Sequence, residues 1–146
     1  MDNSNIVSEF VQARELDAIP RMNRMLNVDR SITDINVKDS TYSNDTALHY
    51  QAWHGSTGSV AWLLRQDPPA SVNVQDYSRE WTPLMYAVCN GAEDSEGKVR
   101  LLLDHGADRN IKTSSGGFAL DFARLFNKNP AAVIDMLENY RPDVSR

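Results

Sequence analysis

Residues 46–55 read TALHYQAWHG, residues 82–91 read TPLMYAVCNG and residues 118–127 read FALDFARLFN. Set in register, Leu48, Leu84 and Leu120 fall 36 residues apart each time. Shortly upstream of each stretch lie DINVKD (34–39), SVNVQD (71–76) and DRNIKT (108–113), whose Asn36, Asn73 and Asn110 recur every 37 residues. A third element follows each stretch: VAWLL (60–64), VRLLL (99–103) and VIDML (133–137). Three features in one order at one spacing mark a repeat architecture.

Each piece has a physical meaning. Thr82-Pro83 is a helix start, because Thr accepts a bond from a free backbone N–H and Pro at the first helical position gives up nothing. Thr46-Ala47 is the same start without the proline. Gly55 and Gly91 are expected to end a short first helix in a left-handed conformation. HGSTGS (54–59) then serves as the turn, and the Val and Leu residues that follow form the buried stripe of a second helix. Gly106 in HGAD stops that helix in the left-handed region, and the Asp/Ser-x-Asn segment opens a turn through its own side-chain bonds. Helices this short cannot hide their apolar faces alone, so the units must stack.

The pattern T-[AP]-L-[HM]-x-[QA]-x-x-x-G, then V-x-x-L-L, then G-A-D-x-N resembles the ankyrin repeat, most closely in LLLDHGADRN (101–110). The resemblance implies an all-α solenoid of about four repeats, antiparallel helix pairs joined by hairpin-like loops. The chain 1–146 then reads as one domain: an N-terminal cap repeat (4–33), repeats at 34–70 and 71–107, a C-terminal cap repeat (108–140) and a tail (141–146). Two insertions are expected, at Asp67-Pro68 and at AEDSE (92–96). EFVQARELDAIPRMNRMLN (9–27) looks like the N-terminal cap, with a helix through Ala13-Arg14, a turn near Leu16-Asp17, and Met22, Met25 and Leu26 inward. Pro20 fits the first turn of its second helix, and Pro142 blocks extension beyond Tyr140.

Composition narrows the function. A net charge of −5 with no basic stripe argues against nucleic acid as a partner. The single cysteine, Cys89, permits neither an internal disulfide nor a cysteine zinc cluster and fits a reducing compartment. The acidic, polar start MDNSNIVSEF is no signal peptide, and no apolar run is long enough to span a membrane. The expectation is a monomer, cytoplasmic with the nucleus as a second location, without cofactor or metal. His49 and His54 are five apart, about 140° around a helix, so they do not form a one-face metal pair.

The resemblance gives His49 the structural task of bracing loop backbone; Met85 and Asp121 replace it in later repeats. It also places a binding face on the loop tips and the exposed side of the first helices. By position the candidate contacts are Tyr42, Asn44, Trp53, His54, Tyr77, Arg79, Trp81, Cys89, Asn90 and Phe126, with Leu125 beside the last. Tyr and Trp are favoured there because they bury large area at small entropic cost. Trp62, in the second helix, belongs to the core. Glu93-Asp94-Ser95-Glu96 reads as a solvated acidic bulge, and His105 favours the end of its helix as a cation. The implied function is a non-catalytic protein-binding module, an adaptor or stoichiometric inhibitor with no effector domain attached. Two alternatives stand beside it: a small enzyme using Cys89 and the histidines, and a substrate of an asparaginyl hydroxylase at Asn36, Asn73 and Asn110.

Overall fold

The computed structural model describes residues 4–89, 94–128 and 130–141. Its helices are α1 (Ser4–Val11), α2 (Ala18–Asn23, entered through a 3₁₀ turn at Glu15–Asp17), α3 (Ala47–His54), α4 (Thr57–Leu64), α5 (Pro83–Cys89), α6 (Ser95–Asp104), α7 (Ala119–Phe126) and α8 (Pro130–Asn139). A π-helical turn at Arg24–Val28 continues α2. Extended pairing among the described residues amounts to one isolated bridge, Asp39 with Asp45. The helices pack in two rows: α1, α3, α5 and α7 inside, and α2, α4, α6 and α8 behind them. Helix α5 touches α3, α6 and α7 and is buried over its whole length. The core runs unbroken through Phe10, Met22, Leu48, Leu63, Leu84, Leu102 and Val133. Leu48 and Leu84, which set the repeat register, are core residues in equivalent places, and Leu120 is packed against the core from its edge.

Local polar chemistry explains the helix starts. Thr46 accepts the His49 N–H at 3.4 Å, and Thr82 accepts the Met85 N–H at 3.4 Å. Ser56 and Ser59 form a reciprocal capping box, each hydroxyl taking the other's N–H at 3.1 Å. The loops carry their own braces. Asp39 accepts Thr41 N–H at 3.0 Å, Asp76 accepts Arg79 N–H at 2.9 Å, and Thr113 accepts Gly117 N–H at 3.1 Å. Successive loops are joined through backbone, from Tyr77 N–H to Ser43 C=O at 2.9 Å and from Ser114 N–H to Arg79 C=O at 3.2 Å.

Four expectations need correction. Gly55 is extended (φ −90°, ψ −171°), not left-handed. Glycine fits there because a Cβ would lie 2.8 Å from the Gln51 backbone carbonyl oxygen and crowd the Gln51 and Ser59 side chains as well. Gly106 is left-handed as expected, at φ +92°. Helix α1 ends at Val11, so Ala13-Arg14 belongs to the connection; Gln51 of α3 donates to the Ala13 carbonyl at 2.5 Å and holds it open. The turn between α3 and α4 is only Gly55-Ser56, because the Ser56 cap starts α4 at Thr57. Asp94 and Ser95 are not a solvated bulge: Asp94 accepts the Thr57 N–H at 3.0 Å, and buried Ser95 donates to the Ala87 carbonyl at 2.7 Å. Gly91, Glu93 and Pro142 lie outside the described residues. The remaining cap features hold, with Pro20 in the first turn of α2 and Met22 and Met25 buried.

Candidate partner-binding face

The inner helices and their loops bring together one row of aromatic rings. Tyr42 meets Tyr50 edge-on at 5.7 Å between centroids, and Tyr50 lies 4.4 Å from His54. Trp53 is edge-on to Tyr86 at 6.0 Å, and Tyr86 lies 5.4 Å from Trp81. Trp81 lies 4.8 Å from Phe122, which stacks on Phe126 at 6.2 Å. The row therefore crosses three repeats. Each pair lies within the distance at which offset or edge-on rings attract.

Its polar underlay is equally specific. The His49 Nε2–H donates to the Trp81 carbonyl at 3.0 Å, and its Nδ1 accepts the Thr46 N–H at 3.2 Å. The ring is thereby fixed neutral, and burial pulls its pKa down to about 4. The expected brace is thus built, linking one repeat to the next. Tyr86 donates its only hydroxyl proton to Asp76 at 2.5 Å, with Asp45 on the same oxygen at 3.3 Å. Asp45 is 1% exposed, and burial together with the Asp76 charge raises its pKa to about 7. Burial and the two carboxylates likewise push the Tyr86 hydroxyl well above its ordinary range.

The predicted contacts distribute unevenly over this face. Tyr42, Trp53, His54, Trp81 and Phe126 all join the aromatic row. Arg79 lays its guanidinium over the Trp81 ring at 4.3 Å. Tyr77 projects from its loop at 80% exposure, and Leu125 and Phe126 are exposed at 72% and 56%. Asn44 is half-buried in a left-handed turn at φ 54°, donating its N–H to Asp39 C=O at 3.0 Å. Cys89 departs from expectation. It is only 8% exposed because α5 is enclosed by its neighbours, and burial pushes the thiol up to about 12. That shift is opposite to what activates a nucleophile. Asn90 lies outside the described residues. Trp62 packs against the core from the second row.

Sequence reasoning missed Tyr50, Tyr86 and Phe122. Their signal was present, since they fall two residues after Leu48, Leu84 and Leu120. It also missed buried Lys98, whose Nζ donates to the Gly55 carbonyl at 3.1 Å beside Asp94 at 3.7 Å. Two of the loop asparagines are staples. Asn36 accepts Ser71 N–H at 2.8 Å, and Asn73 accepts Asp108 N–H at 2.8 Å. Among the described residues no group of three His, Cys, Asp or Glu side chains could hold a metal ion. No helix among them is long and apolar enough to cross a membrane.

A stacked series of short helix pairs, joined by braced loops and presenting one side-chain row across its repeats, defines a repeat-protein scaffold. The family model of ankyrin repeats (3 copies) matches residues 3–113 and 60–144. The crystal structure of EF0377, an ankyrin repeat protein, superimposes with a TM-score of 0.74 at 26% identity. That match covers 92% of this chain, which spans 63% of the other protein's length. The chain belongs to the ankyrin-repeat family.

Proposed function

We propose that this protein is a non-catalytic binding module that grips another protein across its inner face, acting as an adaptor or as a stoichiometric inhibitor. One observation carries the reading: the aromatic row from Tyr42 to Phe126, fixed by the stack and open at Tyr42, His54 and Phe126. Fixed rings lose little freedom on binding, and aromatic residues dominate the energetics of protein interfaces. Burial holds Cys89 as its thiol.

Capture from native lysate tests the reading with three baits: wild type, a Trp53→Ser/Phe126→Ser variant, and Val28→Ser, which changes an exposed apolar residue outside the row. The expected result is a stoichiometric partner retained by wild type and Val28→Ser and lost by the double variant. Equal recovery by all three overturns the assignment of the face. A second reading concerns Asn110, which is exposed and, unlike Asn36 and Asn73, uses no side-chain atom in a hydrogen bond among the described residues. Of the three asparagines it is the one an asparaginyl hydroxylase would reach without breaking a staple. Intact mass of protein from its native source checks this, and the absence of an added oxygen removes it.

A further inference from the structure

A cavity of about 420 Å³ opens between the second and third repeats, walled by Tyr42, Tyr50, Trp53 and Tyr86, with Asp45 and exposed Arg79 also in its lining. Two of these groups are hydrogen-bond donors without an acceptor. Tyr50 is only 4% exposed, yet its hydroxyl makes no hydrogen bond with any described residue. Among the described residues no side-chain oxygen sealed from solvent lacks a partner, so that hydroxyl faces open space, and the space it lines is this cavity. Arg79 lays one face of its guanidinium on the Trp81 ring at 4.3 Å and forms no ion pair among the described residues. Stacking occupies the face of that plane and leaves its N–H edge for an acceptor.

The neighbouring acids do not take these donors. Asp39, Asp45 and Asp76 are each at most 2% exposed. Asp39 is occupied by Ser8, Gln12 and Thr41. Asp76, which lies outside the lining, is occupied by the Tyr86 hydroxyl and by the Arg79 and Trp81 N–H groups. Of the three only Asp45 lines the cavity. The Tyr86 oxygen 3.3 Å from it has given its own proton to Asp76, so it can only accept one from Asp45. Burial, reinforced by the Asp76 charge, keeps that proton on Asp45 up to about pH 7. The full charge left in the lining is the Arg79 cation, although the chain as a whole carries −5. Burial, then the charges of Arg14 and Lys98, lower the pKa of His54 in the same lining, so the surrounding field is cationic there too. We infer that the cavity is the seat of a carboxylate, presented as an aspartate or glutamate side chain of the partner protein, which takes the free guanidinium edge of Arg79 and the Tyr50 hydroxyl. A carboxylate offers two coplanar acceptor oxygens, the match for a guanidinium fork. The inference rests on the inner face being the binding face and adds the chemistry of what that face grips.

The test titrates the full chain at pH 6.5 with N-acetylglutamate α-amide, which presents a glutamate side chain without a free amine. Binding is followed on the aromatic NMR signals of Tyr42, Tyr50 and Trp53. N-acetylglutamine amide, N-acetyllysine amide and sodium phosphate, at matched ionic strength, are the comparisons. A saturable shift with the glutamate probe, and none with the other three, is the expected result. Arg79→Gln weakens it at least tenfold and Tyr50→Phe several-fold, while Val28→Ser leaves it unchanged. Arg79 is exposed, and Tyr50→Phe keeps the ring and deletes only the hydroxyl, so one variant stays informative if the other fails to fold. Absence of saturation in wild type overturns the inference, as does an equal response to the glutamine or lysine probe, or undiminished binding by Arg79→Gln. A response to phosphate that matches or exceeds the glutamate response overturns the carboxylate in favour of a phosphate group. A partner captured through Trp53 and Phe126 while the glutamate probe leaves wild type unmoved removes the carboxylate alone and leaves the binding face standing.

Discussion

The two internal joints of the stack are held by different chemistry. Where the second repeat meets the third, buried charged and polar groups cross the boundary. Lys98 reaches back to the Gly55 carbonyl, Asp94 takes the Thr57 N–H, His49 donates to Trp81, and Tyr86 approaches Asp45. Where the third repeat meets the fourth, the joint is mainly apolar, with Trp81 on Phe122 and neutral bonds from Asn127 to the Val88 carbonyl and from Gln75 to the Lys112 carbonyl. A joint made of apolar contact tolerates small shifts, whereas one made of buried polar bonds fixes a single register, because each broken bond strands a desolvated group. The cavity walled by Tyr42, Tyr50, Trp53 and Tyr86 sits on the polar joint.

The largest test of that contrast is Lys98→Ala. It removes a fully buried cation, leaves the Gly55 carbonyl without its donor and opens a cavity, so it is expected to cost about 3 kcal/mol. Asn127→Ala at the apolar joint loses neutral, half-buried bonds to the Val88 carbonyl and the Ser95 hydroxyl and is expected to cost about 1 kcal/mol. Urea unfolding of both variants checks the order. Similar losses would mean the two joints are equivalent.

The second test is pH. Asp45 binds a proton in the folded chain up to about 7, against 3.8 ordinarily, so its contribution falls as pH rises through that window. His49 refuses a proton until about 4, against 6.5 ordinarily, so its contribution falls as pH drops through 6.5 toward 4. Asp76, Arg79, Asp39 and Tyr86 act on the first group, and Asp76 and Lys38 on the second. Between about pH 4.5 and 6.5 the folded state holds one extra proton at Asp45 and lacks one at His49, so the slopes cancel. Wild-type stability from these two groups is therefore expected to be flat there. Asp45→Asn uncovers the histidine limb, and stability then rises with pH by up to about 1.4 kcal/mol per unit. Replacing His49 uncovers the opposite slope. Denaturant midpoints at pH 4.5, 5.5 and 6.5 decide it, and a flat Asp45→Asn profile would show that the two groups do not offset each other.

These features were unequally legible in the amino-acid sequence. The solenoid was readable because its signals are local and recur: Thr46 and Thr82 at helix starts, Gly106 at a helix end, Leu48 and Leu84 in the core. Tyr42, Trp53 and Trp81 were reached by residue type and position. Tyr50, Tyr86 and Phe122 were passed over because one helix period does not reveal which side of a fully buried helix looks along the stack. Gly55 was assigned to the right place for the wrong reason, since crowding by Gln51 and Ser59 exists only once α3 and α4 are packed. Lys98 and Asp45 were illegible as buried charges. A sequence gives them the same letters as solvated residues, and only the neighbouring repeat removes their water.

The smallest expected effect isolates the brace itself. Positions 49, 85 and 121 do one local job with three chemistries: His49 Nδ1 at 3.2 Å, Met85 Sδ at 3.4 Å and Asp121 Oδ2 at 2.8 Å each accept the N–H of the residue three before them. Only the histidine has a second polar atom placed to reach the next repeat, at the Trp81 carbonyl. His49→Met therefore transplants the third repeat's solution into the second, keeping volume and the local acceptor while deleting the inter-repeat bond. The expected loss is about 1 kcal/mol, the net worth of one hydrogen bond with its carbonyl left to relax. It should appear as faster hydrogen exchange in the 77–81 loop, with α3 amides unchanged. Loss spread evenly over α3 would mean that His49 serves its own helix, and that the joint is held by the aromatic row alone.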